Sequence, residues 1–220
     1  GNTSASAAAY AARCGLRAVV VVPAGGVAAG KLAQALAYGA TILTVTGSFD
    51  IALRLVRQLA GEPGVALVNS VNPFRIEGQK TAAFEIVEQL GDAPARLFIP
   101  VGNGGNITAY WRGFTELHQR DARSRPAIHG AQAEGAAPLV RGRPVVRPRT
   151  REEGLLVEPA SAAGVALLIK NAGAGRLGGD GAIVCVLTGH GLKDPQALTH
   201  GLRLPRPVRP TLSTLLRAIG

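Results

Sequence analysis

Four short polar clusters interrupt a chain otherwise rich in alanine, valine, leucine and glycine. "GNTSAS" (1–6) opens it, and "NSVNPFR" (69–75) offers amide, hydroxyl and guanidinium groups together. "GNGGN" (102–106) sets three glycines beside two asparagines, and "TGHG" (188–191) sets a hydroxyl and an imidazole among glycines. A glycine-rich turn at the head of a helix presents backbone N–H groups in a positive field, which makes 102–106 a natural anion seat. The same residues also suit a tight strand-to-helix turn that needs only small side chains. The turn is not G-x-G-x-x-G, because its sixth position is Ile107, and it lacks the Gly-Lys-Ser/Thr of a P-loop. Arg75 can grip a phosphate or carboxylate bidentately, or stand in solvent behind an Asn72–Pro73 turn. Thr188 ends an apolar strand, where a hydroxyl commonly bonds to backbone. His190 has no identifiable Ser or Cys partner and reads as a loop histidine, and Glu134 and Glu158 fit exposed loop carboxylates.

The elements that must position these clusters are legible as an alternation. Apolar runs at 16–23, 41–47, 65–69, 95–101, 127–133 and 182–189 read as strands. Helical spacing is read at 29–39, closed by Gly39, after a Ser48 N-cap, at 76–90 up to Gly91, from Ile107 to His118, and after Pro159. Repeated βα units predict an α/β fold of parallel sheets with helices on both faces, in three layers. Residues 48–60 read as the lead from one layered unit to the next, so two lobes are predicted. Ligands in such folds bind beyond the carboxyl ends of the strands. Three clusters follow strands, and the opening one precedes a helix, so the four are predicted to converge on one cleft.

The bulk numbers narrow the classes. At 220 residues and 47% hydrophobic content, the chain can bury a core. No apolar run approaches the ~20 residues that span a bilayer, and no signal peptide is visible, so a cytoplasmic location is predicted. Cys14 and Cys185 lie in apolar segments and read as buried free thiols. The net charge is +10, and basic residues concentrate at 141–151 and 200–217, where Arg and Pro dominate. Those stretches lack interleaved aromatics and read as solvated linkers, with nucleic-acid binding the lesser reading.

Together, "GNTSASAAAYAARCGL", "AGKLAQALAYGA", "NSVNPFRIEGQKTAAFEIVEQLGDAP", "PVGNGGNITAYWRGF", "QAEGAAPLVRG", "EGLLVEPASAAGVA" and "VCVLTGHGLKDP" resemble the threonine synthases. These are pyridoxal-phosphate enzymes of the tryptophan-synthase-β-like family, fold type II. The resemblance covers most of residues 1–195, and 69–113 is its most specific part. It implies two lobes with the cofactor cleft between them. Residues 1–60 would be the remnant of the smaller lobe, 61–198 the larger, and 199–220 a poorly ordered Arg/Pro-rich tail. It implies that pyridoxal 5′-phosphate is held by the backbone N–H groups of Gly102, Asn103, Gly104, Gly105 and Asn106. Asn2 would bond the ring's 3′-oxygen, and Thr188 would face the pyridine nitrogen. Asn69, Ser70 and Arg75 would grip O-phosphohomoserine. The implied reaction gives L-threonine and phosphate, with a homodimer in the intact family. A threonine dehydratase of the same cofactor class is the near alternative, and a non-catalytic phosphate-binding module or a subunit of a split enzyme is another.

Two departures accompany the resemblance. The family's Schiff-base lysine lies upstream of "GNTSAS", and none of Lys31, Lys80, Lys170 and Lys193 sits in its Ser-Phe-Lys-type context, so no catalytic residue is assigned. Between 142 and 152 the family carries further elements, which implies an internal deletion here. The chain is therefore expected to be a fragment, a mispredicted gene, a decayed copy or one piece of a split enzyme.

Overall fold

Each strand of the observed fold is short and parallel to its neighbours. The computed structural model describes residues 2–24, 29–69, 72–132 and 160–191. The first unit contains α1 (Asn2–Arg13), β1 (Val19–Pro23), α2 (Ala29–Ala37), β2 (Thr41–Val45) and α3 (Phe49–Leu59). β1 and β2 pair in parallel, Val19 opposite Thr41 through Pro23 opposite Val45. Their inner face packs Val20 and Val22 against Ala8, Ala35 and Ala40. Ser48 caps α3 as predicted, its hydroxyl accepting from the Ile51 N–H at 3.4 Å. α3 packs against β1.

The second unit contains α4 (Phe74–Gln79), α5 (Thr81–Leu90), β3 (Arg96–Pro100), α6 (Gly105–Asp121), β4 (Ala127–Ala131), α7 (Ala163–Gly173) and β5 (Ile183–Cys185). The sheet order is β4-β3-β5, all parallel. Register assigns the two faces. Leu97, Ile128 and Val184 share one row and pack against Ala83, Val87, Tyr110, Phe114 and Leu117 of α5 and α6. Phe98, His129 and Cys185 share the next row on the opposite face. There the His129 ring stacks on Phe98 with centroids 4.6 Å apart. α7 covers this face, and a Cβ on Gly164 would stand 3.4 Å from the Cys185 sulfur and 3.6 Å from the β3 backbone. Helices thus lie on both faces of a parallel sheet, as the alternation predicted.

Several local expectations are corrected. Residues 65–69 form no strand, because none of the described strands pairs with them; Val65 and Val68 are exposed. The helix predicted over 76–90 is two helices meeting at Lys80, where Ala83 N–H turns back to the Lys80 carbonyl in a three-residue step. α5 does end at Gly91, in the left-handed conformation at φ 84°. "GNTSAS" does not precede its helix: α1 already starts at Asn2. Cys14 is exposed, since it lies in the turn beyond the end of α1 rather than on a core face. Cys185 is half-buried, and burial pushes its thiol above the usual range. The Arg-rich stretches, Ser70, Glu134 and Glu158 lie outside the described residues. Among the described residues, no helix is long and apolar enough to cross a membrane, and no cluster of His, Cys, Asp and Glu has metal-binding geometry.

Candidate functional site

The carboxyl edge of the β4-β3-β5 sheet gathers two of the four predicted clusters. β3 ends at Pro100 opposite Ala131 of β4, and the ladder to β5 continues through the Val186 N–H donating to the Phe98 carbonyl at 2.8 Å. The 102–106 turn therefore follows the central strand, Gln132 follows one neighbour, and Thr188 follows the other. The Gln132 carboxamide reaches the Gly102 carbonyl at 3.4 Å and ties β4 to the turn.

The turn is built to start a helix. Gly104 is the N-cap of α6 at φ 86°, a conformation that costs a side-chain-bearing residue about 1 kcal/mol or more. Among the described residues, a Cβ on Gly102 or Gly104 would meet nothing within 4 Å, so the space they leave beside the turn is open. Asn103 stabilises the turn from within: its Oδ1 accepts from the Gly105 N–H at 3.1 Å. The helical ladder begins only at Thr108, whose N–H bonds to the Gly104 carbonyl. The N–H groups of Asn106 and Ile107 therefore have no intrahelical acceptor and point out of the helix end. Open space, outward N–H groups and the positive end of a 17-residue helix together fit a phosphate. One of the five predicted N–H donors, that of Gly105, is already engaged by Asn103.

Thr188 is exposed, while its backbone is firmly held. The Thr188 and Gly189 N–H groups both donate to the Ser161 Oγ, at 2.6 and 3.3 Å. Ser161 is fully buried, two residues before α7. Sequence reading missed it, although it sits in "EPASAAGVA". Its only local signal is a serine just ahead of a helix, and its partners lie 27 and 28 residues away.

The 69–75 cluster is shaped by Asn72. Its Oδ1 accepts from the Phe74 N–H at 2.8 Å and its Nδ2 donates to the Leu67 carbonyl, which closes the turn leading into α4. The turn reading of Asn72–Pro73 therefore holds, and it sets half-buried Arg75 in the first turn of α4. Asn69 is half-buried just before it. Asn2 belongs to the other unit, at the head of α1, with its carboxamide oxygen buried. The strand register that unites 102–106 with Thr188 does not extend to Asn2, Asn69 or Arg75. His190 is exposed.

Lys80 is committed elsewhere. It bonds Glu116 at 2.6 Å and Glu77 at 2.7 Å, and Arg112 joins Glu77 at 2.5 Å. The hydrogen bond to Glu116, then that to Glu77, raises the Lys80 pKa and favours the ammonium form. An amine that must lose its proton to act as a nucleophile is poorly served there.

The chain is similar to known proteins in sequence and in fold. Residues 1–150 match the family described as "Pyridoxal-phosphate dependent enzyme". A threonine synthase of Bacillus sp. (strain ULM1) is 46% identical, over 89% of this chain and 68% of its own length. A threonine synthase of Synechocystis sp. is 45% identical over the whole chain and 69% of its own length. That match runs over 266 positions against the chain's 220 residues, so the relative carries residues inside the matched span that have no counterpart here. Among solved structures, O-ureido-L-serine synthase superposes with a TM-score of 0.74 at 17% identity, over 99% of this chain and 78% of that one. Serine racemase from Dictyostelium discoideum gives 0.68 at 16%, over 86% and 74%. At such identities these two structures speak for the fold.

Proposed function

We propose a threonine synthase-type role on the premise that this chain belongs to the pyridoxal-phosphate-dependent enzymes, with threonine synthases among its sequence relatives. The cofactor is pyridoxal 5′-phosphate. When bound, it supplies the electron sink for carbanion chemistry at the amino acid.

In this reading the chain's residues bind and orient. The outward N–H groups at the head of α6 take the cofactor phosphate, with Asn103 keeping the turn in shape. The Thr188 hydroxyl faces the ring nitrogen as a neutral partner, and Asn2 bonds the ring's 3′-oxygen. Asn69, Ser70 and Arg75 hold O-phospho-L-homoserine, and Arg75 matches the charge and planarity of its phosphate ester. The overall change removes the γ-phosphate and adds water at the β carbon, giving L-threonine and phosphate. The residues that the Synechocystis relative has in excess are assigned to the junction at 142–152. The observation that carries the proposal is the parallel register, which sets the 102–106 turn and Thr188 on one sheet edge.

Arg75 tests the substrate assignment. Arg75→Gln is expected to weaken O-phospho-L-homoserine binding to the cofactor-loaded chain roughly tenfold or more, since a charge-assisted bond is lost. Binding of L-threonine, which has no phosphate, is expected to stay unchanged. Equal losses for both ligands would reject a phosphate grip at Arg75 and favour a dehydratase.

A second reading is favoured by Lys80, whose ammonium is committed to two carboxylates. The chain would then hold a phosphate compound without turnover, or pair with a subunit that brings the lysine. Borohydride reduction after adding pyridoxal phosphate separates the two. A covalent adduct on one specific lysine supports an enzyme complete in this chain, and reversible binding with no adduct supports the second reading.

A further inference from the structure

We infer that Ser161 is a positioning residue that sets the Thr188 hydroxyl against the cofactor ring; the inference rests on the cofactor assignment proposed above. Ser161 has zero exposure, and its Oγ collects two consecutive backbone N–H groups, at 2.6 Å from Thr188 and 3.3 Å from Gly189. Successive N–H groups turned to one side form a concavity of the kind that holds anions. Here a neutral hydroxyl oxygen fills it from beneath. The two amides are thereby withdrawn from competition for the phosphate or carboxylate of a ligand, and the Thr188 side chain is left as the group that meets it.

The pin is part of a rigid frame. Val186 N–H makes the bond that extends the β5–β3 ladder, two residues before Thr188. Beyond it, Ser161 holds the backbone at Thr188 and Gly189. Ser161 is itself fixed to β3 through α7, because Gly164, three residues on, lies against the backbone of Phe98 and Ile99. β3 also leads directly into the 102–106 turn. One strand therefore carries the phosphate seat at its end and, through α7 and Ser161, sets the height of Thr188. The distance between the cofactor's phosphate and the partner of its ring nitrogen is fixed by this connection. A loosened Thr188 would leave the seat intact and the ring misaligned.

The test compares the full chain with Ser161→Ala and Ser161→Thr, each titrated with pyridoxal phosphate. Three signals are read: absorption and emission of the bound ring against pH, the phosphorus resonance, and hydrogen exchange at the Thr188 and Gly189 amides. Ser161→Ala is expected to speed exchange of both amides at least tenfold, alter the ring spectrum and weaken cofactor binding roughly tenfold. The bound phosphorus resonance stays where it was, and threonine, which keeps the hydroxyl, restores the ring signals. If alanine prevents folding, Ser161→Cys carries the same readouts, because sulfur is a weaker acceptor. A ring spectrum and affinity equal to wild type overturn the inference. So does a loss that spreads to the phosphorus signal and that threonine does not restore, which is a general packing defect. A wild-type chain that binds no cofactor overturns the cofactor assignment itself, and the inference with it. Normal wild-type binding with an indifferent Ser161→Ala overturns the role of Ser161 alone.

Discussion

Asn103→Asp is expected to leave the fold intact or slightly firmer while reducing affinity for pyridoxal phosphate about a hundredfold. The substitution is isosteric, and the retained oxygen can still accept from the Gly105 N–H, now at 3.1 Å. A carboxylate one residue before the Gly104 N-cap also opposes the positive end of α6, which favours the helix by roughly 0.3–1 kcal/mol. The same charge stands beside the proposed phosphate. Two unit negative charges about 5 Å apart in a surface site repel by about 3 kcal/mol, which outweighs the helix gain for the loaded protein. Stability and affinity therefore move in opposite directions. Thermal unfolding of the free chain and a cofactor titration check the two halves. Unchanged affinity would remove the phosphate from this turn, whatever the melting temperature does.

Gly113→Ala is expected to be among the most destabilising single substitutions of the second unit. Gly113 is buried in α6 where that helix crosses the α4–α5 junction. A Cβ there would stand 2.5 Å from the Lys80 carbonyl oxygen and 2.7 Å from the Ala83 Cβ. Neither neighbour is the end of a flexible side chain, so α6 must move off α5. That movement opens the cluster of Ala83, Val87, Tyr110, Phe114 and Leu117. Alanine gains about 1 kcal/mol over glycine from helix propensity, and overpacking of this kind costs about 3 kcal/mol. The net loss of about 2 kcal/mol lowers the midpoint by roughly 4–8 °C in a chain of this size. A midpoint equal to or above wild type would contradict the close crossing.

This crossing also explains why the helix break at Lys80 is hard to read from sequence. Residues 76–90 keep helical spacing throughout, and the Lys80 N–H still bonds to the Ile76 carbonyl. The interruption is set by a contact with a residue 33 positions on, which periodicity does not register. By contrast, features whose cause is local are legible. The Ser48 cap and the left-handed Gly91 each follow from one residue's own chemistry. β3, with three consecutive buried residues at Leu97, Phe98 and Ile99, reads clearly because a strand covered on both faces needs an unbroken apolar run. "VALVN" opens on four consecutive apolar residues yet forms no strand, since pairing depends on a neighbour that composition cannot supply.

The site divides along the same line. The glycine turn at 102–106 and the hydroxyl at Thr188 are visible as types and spacings, and register brings them to one edge. The engagement of Gly105 by Asn103, the strap from Gln132 to Gly102 and the grip of Ser161 on Thr188 are not visible. Each is a hydrogen bond whose partner is chosen by the folded backbone rather than by neighbouring letters. Asp92 shows the same limit on a smaller scale. Its carboxylate accepts from the Ala93 N–H and, across the fold, from the Ser124 N–H, and these bonds hold its pKa below the usual range.

Phosphorus NMR of the full chain with added pyridoxal phosphate tests most directly whether the head of α6 seats a cofactor phosphate. A distinct bound resonance is expected, its position unchanged between about pH 5 and 8, because the seated dianion no longer titrates near its ordinary second pKa of about 6. A single resonance that follows the titration of free pyridoxal phosphate over that range would contradict it.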